Sequence, residues 1–71
     1  MTINERIAVM RNVRGLKAVY VADKIGLSAN MLSMIEKGRC NVTVAQLISL
    51  SKFYGVTTDY LLFGDNERLS A

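Results

Sequence analysis

The chain has 71 residues and a mass of 7.9 kDa, close to the smallest size at which one hydrophobic core holds a fold together, so a single domain is expected and a pocketed multi-domain enzyme is excluded. Hydrophobic residues make up 51% and charged residues 21%, with no polar low-complexity tract, which argues against a disordered chain. One cysteine, Cys40, and no histidine leave neither an internal disulfide nor a zinc site, so stapled secreted scaffolds and metal modules drop out and no cofactor is expected.

Nine Lys and Arg against six Asp and Glu give a net charge of +3, and the excess is unevenly placed. Residues 11–39 carry Arg11, Arg14, Lys17, Lys24, Lys37 and Arg39 against Asp23 and Glu36, a net of +4. Residues 55–71 carry Asp59, Asp65 and Glu67 against Arg68, a net of −2. No apolar run is long enough for a membrane span, and the first turns, with Asn4, Glu5 and Arg6, lack the apolar segment of a signal peptide. A cytoplasmic protein with no membrane partner is therefore expected.

In the absence of proline, Gly15, Gly26, Gly38, Gly55 and Gly64 divide the chain into pieces of helical length. Thr2 and Glu5 form a capping-box signature, and Ile3, Ile7, Met10 and Val13 or Arg14 recur at helical spacing, predicting a first helix over residues 3–14. From Lys17 to Ile25 the apolar set Val21, Ala22 and Ile25 faces inward, and Gly26 takes the left-handed position that ends a helix. Ser28 is a strong N-cap for a third helix over 29–37, with Leu32 and Ile35 on its apolar face. Thr43 and Gln46 make a second capping box before a fourth helix over 44–54, whose stripe is read as Val44, Leu47, Leu50 or Ser51, and Tyr54. Thr57 caps a last short helix from Thr58 to Leu62, with Asp59 well placed in its first turn. The expectation is a compact, five-helix, all-α domain over residues 1–64 and a short frayed tail over 65–71. Its expected core is Leu16, Val21, Ala22, Ile25, Leu27, Leu32, Ile35, Leu47, Leu50, Val56 and Leu61.

Only Gly26, Leu27 and Ser28 separate the second and third helices, so the chain turns sharply there, with Leu27 dropping between the helices. That is the pattern of a helix-turn-helix, which holds its second helix proud of the domain with its N-terminal N–H groups free to meet phosphate or a groove floor. An ordinary corner between two helices of a small bundle explains the helix pattern equally well. The basic charge is concentrated around this unit and not on the last two helices, which favours nucleic acid.

The ordered series Arg6-Ile7, Met10-Arg11, Gly15-Leu16, Val21-Ala22, Gly26-Leu27-Ser28, Leu32-Ser33, Ile35-Glu36, Gly38, Leu47 and Leu50, and Gly55 to Leu62 resembles the Xre/Cro-like helix-turn-helix domains of phage and bacterial repressors, over about residues 5–64. The resemblance implies a five-helix, lambda-repressor-like DNA-binding domain with its helix-turn-helix at helices 2 and 3. It also implies a third helix in the DNA major groove and, commonly, a homodimer on a palindromic operator. It further implies that Arg11 and Glu36 form a structural ion pair locking the third helix to the first.

The sequence departs from the family pattern where such proteins usually touch DNA. Ala18 stands where a Gln usually opens the second helix, and Val42 where a Pro often precedes the fourth. The base-reading positions of the third helix are Ala29, Asn30, Met31, Ser33 and Met34. Of these, Asn30 and Ser33 can hydrogen-bond a base edge, Asn30 suiting a bidentate contact with adenine, while Ala29 and Met34 can pack on thymine methyls. The phosphate candidates are Arg14, Lys17, Ser28, Lys37, Arg39 and Thr43, which flank the turn where a duplex backbone would pass.

The reading is a sequence-preferring, DNA-binding transcriptional regulator, a repressor of the phage or mobile-element kind, with double-stranded DNA as partner. No small-molecule substrate is evident and no pair of residues looks catalytic, since Cys40 has no base beside it. A homodimer is expected, because one short helix with one good base-reading amide cannot select an operator from a genome, whereas two copies on a palindrome can. Its surface is placed at the less basic end, with Tyr54, Tyr60 and Phe63. The alternative is a protein-interaction module, antirepressor or antitoxin-like, docking through the methionine-rich face of the third helix.

Overall fold

A computed structural model describes residues 1–64 as five α-helices with, among these residues, no strand. They are α1 (Ile3–Val13), α2 (Ala18–Lys24), α3 (Ala29–Glu36), α4 (Val44–Tyr54) and α5 (Thr58–Phe63). The tail expected over 65–71, and with it Asp65, Glu67 and Arg68, lies outside the described residues.

The local chemistry of the helix starts explains these boundaries. The hydroxyls of Thr2, Ser28, Thr43 and Thr57 each accept from a first-turn backbone N–H, and Glu5 and Gln46 return the bond to the Thr2 and Thr43 N–H groups. The bond from the Thr2 N–H also holds the Glu5 carboxyl below its ordinary value. α2 is the exception, with Lys17 at its N-cap and no side-chain cap. At its other end Gly26, at φ +76°, lets the Leu27 N–H reach Ala22 O at 2.8 Å and its own N–H reach Asp23 O at 3.3 Å. These two bonds close α2 and reverse the chain within three residues of the start of α3.

α3 packs against both α2 and α1, α1 also packs against α5, and α4 packs against α5. The core is Ile7 and Met10 of α1, Val21 and Ala22 of α2, Leu32 and Ile35 of α3, Leu50 and Tyr54 of α4, and Leu61 of α5. Each large aliphatic residue buried in it contributes about 1.5–3 kcal/mol. Leu16, Ile25, Leu27, Leu47 and Val56, expected in the core, are partly buried and pack around it.

Two positions of the expected stripes are solvent-facing. Val13 is 73% exposed, because six residues of helical rotation from Ile7 carry it off the buried face that Met10 still shares. Val44 is also 73% exposed, because it is the first residue of α4 and lies beyond the stripe formed by Leu47, Leu50 and Tyr54.

Candidate nucleic-acid interface

α3 is two-faced, and each face follows from its sequence. Leu32 and Ile35, three residues apart, are fully buried, which turns Asn30 and Met31 outward. Asn30 is exposed and Met31 is 37% exposed, while Ala29, Ser33 and Met34 are partly buried beside them. The Asn30 amide Nδ2 donates to Met34 Sδ at 3.7 Å, one turn on, so these two residues share one side of the helix. Ser28 Oγ accepts the Met31 N–H at 3.0 Å and keeps its own proton as a donor at the N-terminus of the helix.

The far end of α3 is fastened to α1. Arg11 Nε lies 2.7 Å from Glu36 Oε2 and Arg11 Nη2 lies 2.8 Å from Glu36 Oε1, a two-pronged ion pair, while Nη1 donates to Leu16 O at 2.7 Å. The side chains are 17% and 8% exposed, so the pair is largely out of water. The bond to Glu36 raises the Arg11 pKa above its ordinary value, keeping the guanidinium charged. The expected ion pair is thus present, and it ties the end of α3 to α1.

The expected phosphate residues are spread around this unit. Lys17 is exposed at the start of α2, Lys37 and Arg39 are exposed in the turn after α3, and Ser28 and Thr43 are exposed N-cap residues. Arg14 is exposed but already engaged, donating to Met10 O at 3.1 Å and lying over the Tyr54 ring at 5.0 Å. Lys24, not among the candidates, lies 5.5 Å from the Tyr20 ring centre.

Tyr54 does not belong to a dimer surface. It is 8% exposed, its ring meets Phe53 edge-on at 5.0 Å, and its hydroxyl is buried with no hydrogen-bond partner among the described residues. Four residues beyond Leu50, it falls on the buried stripe of α4 and completes the domain's own core beneath Arg14. Burial pushes its pKa up, and the Glu36 charge adds to that, against the opposing Arg11 and Arg14. Of the other two residues assigned to that surface, Tyr60 is half-buried and Phe63 is 44% exposed.

The bonding roles of two residues escape the sequence reading. Asn4 donates to Ile35 O and Cys40 O at 2.8 and 3.0 Å, and Arg6 Nη1 donates to Leu61 O at 2.7 Å, tying α1 to α3 and α5. The one available signal for Asn4 is its helical phase with Ile7 and Arg11, which puts a short amide on the inward face. Among the described residues there is no cluster of His, Cys, Asp or Glu able to hold a metal ion, and no helix long and apolar enough to cross a membrane.

Comparison with known proteins follows the same geometry. Residues 7–61 match the helix-turn-helix family. Over 64 residues the chain is 38% identical to the HTH-type transcriptional regulator DdrOP3 of Deinococcus deserti, covering 90% of this chain and 50% of that protein, so it spans half the length of that relative. The P22 c2 repressor, in a crystal structure with synthetic operator 9T, superposes with a TM-score of 0.84 at 28% identity, over 92% of this chain and 98% of that one. A chain of the SinR protein/SinI protein complex superposes with a TM-score of 0.80 at 28% identity, over 94% of this chain and 66% of that one.

Proposed function

Because the chain belongs to the Xre/Cro-like helix-turn-helix family, we propose that it is a sequence-preferring, DNA-binding transcriptional repressor that works in the cytoplasm by occupying an operator, without chemistry. The observation that carries this reading is the two-sided build of α3. One face is buried through Leu32 and Ile35, the end is pinned through Arg11 and Glu36, and Asn30 and Met31 are left facing outward. Exposed Lys17, Lys37 and Arg39 lie at the start of α2 and just past the end of α3. A helix so held enters a major groove as a rigid body, its flanking cations meeting phosphates while Asn30 Oδ1 and Nδ2 meet a base edge. The regulator DdrOP3 and the operator-bound P22 c2 repressor support the same reading.

The repressor binds a palindromic operator as a homodimer, through the end of the domain away from α3. Tyr60 and Phe63 belong to that surface together with Leu62, which is 42% exposed. Docking of a protein on the methionines of α3 is less well supported: Met34 is half-buried with its sulfur turned to Asn30, so the exposed apolar strip is one methionine wide.

Salt tests the proposal. Titration of the chain with a duplex carrying its own upstream region should show affinity falling steeply as salt rises, because each neutralised phosphate releases counterions. Binding that ignores salt, or no binding at low salt, would reject DNA as the partner.

A further inference from the structure

Asn4 is half-buried in the first turn of α1, and its one Nδ2 group donates to two carbonyls far along the chain, Ile35 O at 2.8 Å and Cys40 O at 3.0 Å. Those carbonyls bracket residues 36–39, which leave α3 through Gly38 at φ +77° and carry the exposed Lys37 and Arg39. The near end of this turn is held by the backbone: the Lys37 N–H reaches Ser33 O at 3.0 Å, Gly38 reaches Ile35 O at 3.0 Å, and Arg39 reaches Met34 O at 2.9 Å. The far end, at Cys40 O, is held to α1 by Asn4.

We propose that Asn4 is a positioning residue for nucleic-acid binding, clamping both ends of the 36–39 turn to α1 so that Lys37 and Arg39 stand as a preformed pair of phosphate contacts. The proposal rests on the DNA-binding reading above. An amide is suited to the task because one planar NH2 group carries two protons at a fixed angle and serves two acceptors at once. A hydrophobic residue of similar volume would fill the space but leave the Cys40 end of the turn unheld. Cations on a fixed turn stay on their phosphates in the complex, whereas on a loose turn they occupy them only part of the time, so without the clamp fewer phosphates are neutralised on average and the salt dependence falls.

Binding of the full chain to a synthetic mixed-sequence duplex is measured by anisotropy over a salt series, for the wild type, Lys37→Ala/Arg39→Ala and Asn4→Ala, with a thermal melt on each. The double variant should flatten the dependence of log affinity on log salt by about 0.9 per lost contact. Asn4→Ala, which leaves both cations in place, should flatten it in the same direction and weaken binding several-fold at low salt. An unchanged slope in the double variant removes the premise that these cations touch phosphate. A flattened slope there beside a wild-type slope in Asn4→Ala overturns the clamp, because a purely structural loss lowers affinity by one factor at every salt concentration. Asn4→Ser, which keeps one donor, guards against misfolding of the alanine variant. Its slope should fall between, and a wild-type slope in folded Asn4→Ser overturns the proposal equally.

Discussion

The guanidinium of Arg14 lies 5.0 Å from the centre of the Tyr54 ring, so the last residue of α4 is roofed by a cation from the end of α1 while its own hydroxyl stays buried without a partner among the described residues. A buried hydroxyl with no partner costs about 1–3 kcal/mol, and phenylalanine keeps the ring and its contacts with Phe53 and Arg14. Tyr54→Phe should therefore raise the melting temperature, by about 4–8 °C per kcal/mol recovered in a domain of this size. The same change should alter the alkaline limb. The Tyr54 pKa is raised in the fold, so its neutral form contributes stability that is fully present below the ordinary value of 10.0 and lost as pH rises through the folded value. Melts from neutral pH to above 10 should show a shallower decline for Tyr54→Phe, and identical declines would refute the assignment.

The two-pronged pair of Arg11 and Glu36 predicts an asymmetric mutant cycle. Arg11→Met strands a carboxylate whose side chain is 8% exposed, and should cost about 3–5 kcal/mol. Arg11→Met/Glu36→Met removes both charges and should recover much of that loss. Denaturant unfolding of the single and double variants measures the coupling, and additive effects would show that the two side chains act independently.

Leu32 is fully buried on the inner face of α3. Leu32→Ala should cost about 2–5 kcal/mol through the lost apolar contact and the cavity left behind. In a domain this small that is enough to unfold a large fraction of molecules at physiological temperature. A melting curve indistinguishable from wild type would mean that the inner face has been assigned to the wrong residues.

Base reading and phosphate positioning should separate between Asn30 and Arg39. Asn30→Ala should weaken operator binding by about 1–3 kcal/mol and relax preference at one base pair. Arg39→Ala should weaken all duplexes alike and lower the salt dependence. Competition with single-base variants of the operator distinguishes the two, and a uniform loss for Asn30→Ala would make it another positioning residue.

Association through α5 can be read from sedimentation. With Phe63 44% and Leu62 42% exposed, Phe63→Glu places a charge where an apolar contact is proposed, with little demand on the core. The wild type should sediment as a dimer at micromolar concentration and the variant as a species of about 8 kDa, the mass of one chain. A wild-type monomer both free and on DNA would reject the dimer, and a dimeric variant would reject this surface.

What was legible in the sequence was whatever a few neighbouring residues decide. Thr2 with Glu5, Ser28, Thr43 with Gln46, and Thr57 mark the helix starts because a cap is made within three residues. Arg11 and Glu36 are 25 residues apart, and only the family resemblance joined them. The resemblance included Arg6 but gave it no partner, and Asn4 had no such guide, since their acceptors lie 31 and 36 residues away for Asn4 and 55 for Arg6. Tyr54 fitted two readings, as a rung of the α4 stripe and as an aromatic at a dimer surface. Its four-residue step from the buried Leu50 settles it as core. Helical phase alone also separates Val13 from the buried Met10, but Val44 shows its limit, since periodicity does not say where along a helix the core stops.

The way α3 is secured has an evolutionary consequence. Its attachment is discharged by Leu32, Ile35 and Glu36, none of which lies among its outward-facing residues, Asn30 and Met31. Outward residues without scaffold duties can be exchanged at little thermodynamic penalty, usually within about 0.5 kcal/mol for surface positions. Retargeting therefore does not have to pass through an unfolded intermediate. On the proposed reading of α3 as the base-reading helix, a lineage drifts from one operator to another by single substitutions at Asn30 and Met31, while Arg11, Glu36 and the buried pair hold the scaffold constant beneath them.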